Sequence, residues 1–346
     1  MLQEISVPER GTLQRRDVLR IGAVAGVGAA LGAGLVSELL RRGSLHRVSF
    51  TRTRLGTLVT VTVVHPDASA ASAMVNEAFA EMTRLEAILS RYRPDSPLSR
   101  LNAAGRIDRA PSVLLQVMAQ SLDYAHMSGG AFDPTVAPLL NLYASRADRG
   151  EELPDVVAVA NTLPLVGYQG VLIEGARVAF DRPGMSVTLD GIAKGYVVDR
   201  TVATLVGAGA DRVLVDAGGD MASGGQGSVD APWTVAVQDP RDERGTVDLV
   251  RLAGGCIATS GDYLQSFTED RTAHHIIDPR TGRSPMHTAS VSVVAESAMV
   301  ADALSTAVMV LGPEAGVRLL EPLDGVEGVV VTKDGEALRT KGFATG

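Results

Sequence analysis

The chain has 346 residues, 45% of them apolar, with 37 glycines and only 4% aromatic residues. That is ample for a large core, in one big domain or two moderate ones. A formal net charge of -8 excludes nucleic acid as a general partner, since binding its phosphates needs a basic face; a single phosphate-bearing ligand in a local site stays compatible.

The first element is a targeting segment. Arg15-Arg16-Asp17-Val18-Leu19-Arg20 precedes a Gly/Ala-rich apolar run over residues 21–36, and Arg41-Arg42 follows. A charged start and a modest apolar run make an export signal. The paired arginines resemble a twin-arginine signal, which carries folded and often cofactor-loaded proteins across a membrane. A single membrane anchor is the alternative, although the run is shorter than the ~20 residues that span a bilayer. No small-x-small cleavage site follows, so an uncleaved segment could keep the protein at the membrane. Residues 1–44 are therefore read as an export signal or anchor and residues 45–346 as the folded domain. The expected location is the periplasmic or extracytoplasmic face. The one cysteine, Cys256, cannot form an internal disulfide and reads as a buried, inert thiol.

Residues 58–64 alternate β-branched side chains and predict a strand. Residues 68–89 predict a helix, with Ala78, Met82, Leu85 and Leu89 on one face. A two-proline loop is expected over 90–102, a second helix over 111–127, and a glycine-ended turn over 128–135. The charged residues 144–154 look like an exposed linker. Short strands follow at 170–173, 177–180 and 186–189, then a helix starting near Ile192. A buried strand at 213–217 runs into Gly218-Gly219. Further strands are expected at 233–238, 247–252, 256–258, 291–295 and 329–332, with a helix over 297–311. A strand-like run also carries His274-His275 before the turn signals Asp278-Pro279 and Thr281-Gly282. Strands and helices mix without regular βαβ alternation, which indicates an α+β fold.

Five constellations could carry chemistry. Asp302 and Thr306 share a face of an almost wholly apolar helix. A buried carboxylate needs a partner or a metal, and this pair of hard oxygen donors suits Mg2+. An Arg partner for Asp302, with Thr306 bonding back to its own helix, is the plain alternative. Asp190-Gly191 turns a strand into a helix start where amides could face an anion beside Lys194, or it is simple turn chemistry. Gly218-Gly219 allows close approach of a ligand or a tight turn. Tyr92 and Phe132 on loops could stack on a planar base or cover the core. His275, with Asp278 and the hydroxyls of Thr259 and Ser260, could serve as a general base or be structural. Metal binding by the His pair is disfavoured, because adjacent strand residues point to opposite faces.

The order of the motifs is more specific than any one of them. Tyr92-x-Pro94-Asp95-Ser96-x-x-Ser99-x-Leu101-Asn102, Gly130-Ala131-Phe132-Asp133-Pro134-Thr135 and Gly191-Ile192-Ala193-Lys194-Gly195-Tyr196-x-x-Asp199 come first. Gly218-Gly219-Asp220, Thr259-Ser260-Gly261-Asp262-Tyr263, His274-His275-Ile276-Ile277-Asp278-Pro279-x-Thr281-Gly282 and Ala301-Asp302-Ala303-Leu304-Ser305-Thr306-Ala307 follow. Over residues 54–311 this resembles the ApbE family of FAD:protein FMN transferases. The resemblance implies an ApbE-like, T-fold-related mixed α/β sandwich with FAD in a cleft. It implies Mg2+-dependent attack by a threonine or serine hydroxyl of a target protein on the riboflavin-side phosphorus of FAD, with AMP leaving. The implied target carries an FMN-binding-type domain. Asp302, Thr306 and the Gly191 carbonyl match the family's metal ligands, and His275 its catalytic histidine. Leu55, Tyr92, Ala131, Phe132, Asp133, Lys194, Ser260, His275 and Ile276 match positions of FAD contacts. One position departs. Many members carry Asp six residues before the lysine, where this chain has Thr188, with Asp190 two residues on. Asp190 either takes over a metal-side or nucleotide-side contact, or the contact is lost. An FAD-binding protein or FAD pyrophosphatase without protein transfer is the alternative activity.

Overall fold

A computed structural model describes residues 45–242 and 244–343. The expected export segment lies outside the described residues. Strands β1 (His46–Arg54), β2 (Thr57–His65), β6 (Arg212–Ala217), β7 (Asp220–Gly224), β10 (Cys256–Gly261), β11 (Thr288–Ala295), β12 (Glu327–Thr332) and β13 (Ala337–Arg339) form one sheet in the order β1-β2-β6-β7-β10-β11-β12-β13. Every neighbouring pair is antiparallel. Short β3 (Arg106–Ile107), β4 (Val171–Glu174) and β5 (Arg177–Phe180) make a second sheet, and β8 (Trp233–Gln238) pairs with β9 (Thr246–Leu252). The helices are α1 (Ala68–Leu89), α2 (Pro97–Ala104), α3 (Ser112–Met127), α4 (Ala137–Asp148), α5 (Val156–Thr162), α6 (Ala193–Gly207), α7 (Gly227–Asp230), α8 (Ala298–Leu311) and α9 (Pro313–Leu320).

Alternation along the strands builds two layers of core. In β2, β6 and β10 the residues Val61, Val63, Val213, Val215 and Ala258 face the helices, among them Phe79, Met82 and Leu85 of α1, Val198 and Leu205 of α6, and Leu304 and Val308 of α8. Val64, Leu214 and Ile257 face the other way, onto Trp233, Val235 and Leu252 of the β8–β9 hairpin. A period of two on strands and 3.6 on helices places each apolar set on one side. The α+β expectation holds, and the fold is a sheet covered by helices on one face.

Five local expectations are corrected. Residues 186–189 do not form a strand. The side-chain amide of Asn102 donates to the Val187 carbonyl and accepts from its N–H, both at 2.8 Å, and Thr188 N–H donates to the Pro134 carbonyl at 2.7 Å. The segment's backbone groups are thus taken by a side chain and a loop. The loop expected over 90–102 contains α2. Pro97 sits in its first turn and Ser96 caps it, accepting from Ser99 N–H. The expected linker at 144–154 begins as the last turn of α4. The polar edge strand β1 was not expected at all; it pairs on one side only, and none of its side chains is fully buried. The His274-His275 run is not a strand either. Two backbone bonds, Phe267 N–H to Ala273 and His275 N–H to Gln265, hold it against the preceding loop.

Candidate functional site

The site assembles where hairpin tips and helix starts meet at one end of the sheet. The β1–β2 turn is Leu55-Gly56 and the β6–β7 turn is Gly218-Gly219, all four with positive φ. A Cβ on Gly218 would stand 2.4 Å from Thr57 Oγ1, so the two tips touch only because it is absent. Leu55 at φ 53 is one of two non-glycine residues in the left-handed region among the described residues. That conformation costs about 1 kcal/mol or more, and such outliers gather at functional sites.

The start of α6 lies against the start of α8. Gly195 N–H donates to Asp302 Oδ2 at 3.0 Å. A Cβ on Gly195 would fall 2.2 Å from the Ala298 carbonyl oxygen, and one on Gly191 would fall 2.9 Å from Thr306 Oγ1 and 3.3 Å from the Phe132 ring. Gly191, Phe132, Asp302 and Thr306 are thereby brought together. Ser260 Oγ adds hydroxyl contacts at 2.9 Å to Ser305 and 3.4 Å to Thr306. Gly195→Ala should cost about 3 kcal/mol, since neither backbone can retreat from the added methyl. Gly207→Ala at the far end of α6 meets nothing within 4 Å and should be neutral or slightly stabilising. Urea unfolding of the two variants measures the contrast; equal midpoints would refute the close-approach reading.

Charge in this pocket is unbalanced. Lys194 Nζ lies 3.1 Å from Asp220 Oδ1, and Asp220 is 1% exposed. Asp220 Oδ2 is buried and has no hydrogen-bond partner. Burial, then the neighbouring Asp220, raises the pKa of Asp302 well above the ordinary carboxylate range. Burial likewise raises Asp220, and it pushes Asp216 up to about 6. Burial pulls Lys194 down, but Asp220 and Asp302 outweigh it and raise its pKa. One ammonium therefore faces three carboxylates. Among the described residues no Arg pairs with Asp302, whose carboxylate accepts from Gly195 N–H. A divalent cation fits: a buried carboxylate short of positive charge, a hydroxyl and a close backbone segment are hard oxygen donors. Among the described residues no group of three His, Cys, Asp or Glu is placed to hold a metal ion, so a cation here would rely on hydroxyl and carbonyl oxygens beside the carboxylate.

The two histidines diverge. His274 is fully buried; its Nδ1 accepts from Ile276 N–H at 3.3 Å, leaving Nε2–H to face the Pro285 carbonyl at 3.4 Å. Burial pushes it down to about 4, so it is a neutral structural residue. His275 Nδ1–H donates to the Gln265 carbonyl at 3.1 Å, which leaves the Nε2 lone pair available. Burial lowers its pKa too, and its charged form feels Lys194 and Asp190. The ring centroids are 6.3 Å apart, and Ile276 is buried in the core.

On the other side, Tyr92 is 68% exposed. The Arg91 guanidinium stacks on its ring at 4.5 Å. Arg91 Nε and the Tyr92 hydroxyl both donate to Asp190 Oδ2, at 2.7 and 3.1 Å, and Arg91 also donates to Asn141. Asp190 therefore stands with Tyr92, while Thr188 Oγ1 accepts from Asp190 N–H. Asp133 is taken up internally, accepting from Thr135 N–H, Thr135 Oγ1 and Tyr168 N–H. It fixes the turn that holds Ala131 and Phe132. A hollow of about 660 Å3 adjoins Arg91, Asn102 and Asn141; a larger one of about 810 Å3, beside Val202 and Cys256, borders none of the predicted site residues. Sequence reasoning missed Arg91, Asp216 and Asp220 as site residues. Only Asp220 carried a signal, as the acid after a glycine pair.

The model of the ApbE family matches residues 55–330. The chain is 32% identical over 296 residues to the FAD:protein FMN transferase of Klebsiella pneumoniae, covering 83% of this chain and 84% of that protein. It is 33% identical over 344 residues to the FAD:protein FMN transferase of Treponema pallidum, covering 91% of each. Among solved structures, the ApbE protein of Thermotoga maritima superposes with a TM-score of 0.79 at 28% identity, over 86% of this chain and 98% of that one. The apo flavinyl transferase ApbE of Pseudomonas stutzeri gives 0.76 at 32% identity, over 86% and 96%. With the family model spanning most of the described residues and these relatives covering most of both chains, the protein belongs to the ApbE family.

Proposed function

We propose that this chain is a Mg2+-dependent FAD:protein FMN transferase. It moves FMN from FAD to a threonine or serine hydroxyl of a target protein and releases AMP. The observation that carries the mechanism is the unshared Nε2 of His275: the Gln265 carbonyl keeps the proton on Nδ1, and burial disfavours the charged ring. The acceptor hydroxyl gives its proton to this nitrogen as its oxygen bonds to the riboflavin-side phosphorus. The bond from that phosphorus to the bridging oxygen breaks, and AMP leaves with the electron pair. Asp302, Thr306 and the Gly191 carbonyl would hold Mg2+, which would supply positive charge to offset that of the pyrophosphate. Lys194 keeps N–H donors beyond the one facing Asp220 and can offer them to a phosphate oxygen. The open face of Tyr92, with Arg91 stacked behind it, suits the adenine, and Asp190 accepts from its hydroxyl and fixes the ring.

The Arg15-Arg16 segment and the apolar run after it support export, with action on a target on the periplasmic or extracytoplasmic face. The proposed target carries an FMN-binding-type domain. The test is to incubate the protein with FAD, Mg2+ and such a domain and to weigh the domain by mass spectrometry. An FMN increment on one Thr or Ser is the expected result. Free FMN and AMP with an unmodified target would instead identify a pyrophosphatase.

A further inference from the structure

Asp199, the last residue of the Gly-Ile-Ala-Lys-Gly-Tyr-x-x-Asp motif, touches no proposed ligand. Its carboxylate reaches from α6 to the first turn of α8. Oδ1 accepts from Ala298 N–H at 2.7 Å, and Oδ2 from Met299 N–H at 3.0 Å and Ser297 Oγ–H at 2.7 Å. Cys256 Sγ lies 3.7 Å from Oδ1. A helix's first N–H groups have no partner within the helix and are normally served by its own N-cap. Here α8 does have one, Ser297 Oγ accepting from Val300 N–H at 3.4 Å. The remaining donors of that turn go to a carboxylate on another helix. Negative charge at this end also suits the helix dipole.

Gly195 lies one turn before Asp199 on the same face of α6. It gives its N–H to Asp302 and leaves room for the Ala298 carbonyl. Asp302 is one turn beyond Ala298 on α8, and Thr306 is one turn further. Two points of α6 therefore grip α8, one at its first amides and one at its carboxylate. A helix held at both points can neither slide along its axis nor rotate without breaking a charge-assisted bond. We infer that Asp199 is a positioning residue, which sets the register of α8 so that Asp302 and Thr306 meet the Gly191–Lys194 segment in a geometry that binds a divalent cation. This rests on the proposal that Asp302 and Thr306 hold the metal.

The test uses Asp199→Asn in the full chain. Asparagine offers one acceptor oxygen in place of two and turns an NH2 group towards N–H donors. Mn2+ is titrated into FAD-saturated protein and the free ion is counted by electron paramagnetic resonance, far below the melting point. The expected result is about tenfold weaker Mn2+ binding, with metal-free FAD affinity unchanged, because any shift of α8 falls on the ligands first. A folded D199N protein that binds Mn2+ as wild type does would overturn the inference, since a purely structural role lowers the melting point without touching the ion. Should D199N not fold, Ser297→Ala decides: it removes one donor to Asp199 and should weaken Mn2+ about threefold, and unchanged affinity refutes the positioning role. Wild-type protein that binds no Mn2+ with FAD present would instead sink the metal reading itself, and the inference with it.

Discussion

His275→Ala is expected to slow FMN transfer by about 10²- to 10⁴-fold, the usual contribution of a placed general base, while FAD binding changes little. The reason is local. The His275 main chain and Nδ1–H are both fixed to Gln265, so the ring's orientation survives only while the imidazole is present. His275 lies close enough to Lys194 for its charged form to feel the ammonium. The pH profile gives the sharper test. The base works when neutral, so the rate rises with pH through the folded-state pKa and is flat above it. Burial lowers that pKa, so the acid limb should lie below the ordinary histidine value of about 6.5. In the alanine variant that limb should vanish from the residual rate. Transfer assays from pH 4.5 to 8 on a labelled target domain measure it. Loss of FAD affinity in place of turnover would mean that His275 holds the flavin nucleotide and is not the base.

Long elements were legible because their periodicity is set by burial. The apolar face of α1 and the alternation of β2 match the structure closely. The β1 edge strand was not, since none of its residues is fully buried and neither face carries an apolar stripe in the sequence. Residues 186–189 have the right alternation, with Val187 and Leu189 buried, but the sequence does not reveal that Asn102 supplies the pairing. The same distinction runs through the site. Asp302 stood out because an acid inside an apolar helix is costly wherever it folds. Asp199 and Asp220 stood inside recognisable motifs, yet their duties depend on partners brought from far along the chain. Asp199 meets Ala298 across 99 residues, and Gly195 meets Asp302 across 107. The separation of Tyr92 and Asp190 is 98 residues, so the place of Asp190 beside Tyr92 was open until the fold was known.

Asp302→Asn should abolish metal-dependent transfer, by about 10³-fold or more, and at the same time leave the metal-free protein as stable as wild type or more so. The two effects share one cause. The carboxylate lies buried beside Asp220, and a like charge there is disfavoured unless a cation joins it. Asparagine keeps an acceptor for Gly195 N–H but carries no charge. The sign with pH follows. Asp302 and Asp220 titrate as a pair whose folded-state pKa is raised, so the native state binds more protons than the unfolded chain above about pH 4. Stability from this source is present at lower pH and is lost as pH rises through the raised value. The margin of D302N over wild type should therefore grow with pH in metal-free buffer. Adding Mg2+ with FAD should reverse it, because a ligand that binds only the native wild-type site stabilises that protein alone. Thermal melts of both proteins at pH 5 and pH 8, with and without Mg2+, make the comparison. A D302N protein that is less stable than wild type at pH 8 without metal would show that the carboxylate is satisfied by the fold itself. In that case Asp302 is a structural acid held by Gly195 and Lys194, and the catalytic cation would have to be sought at other oxygens.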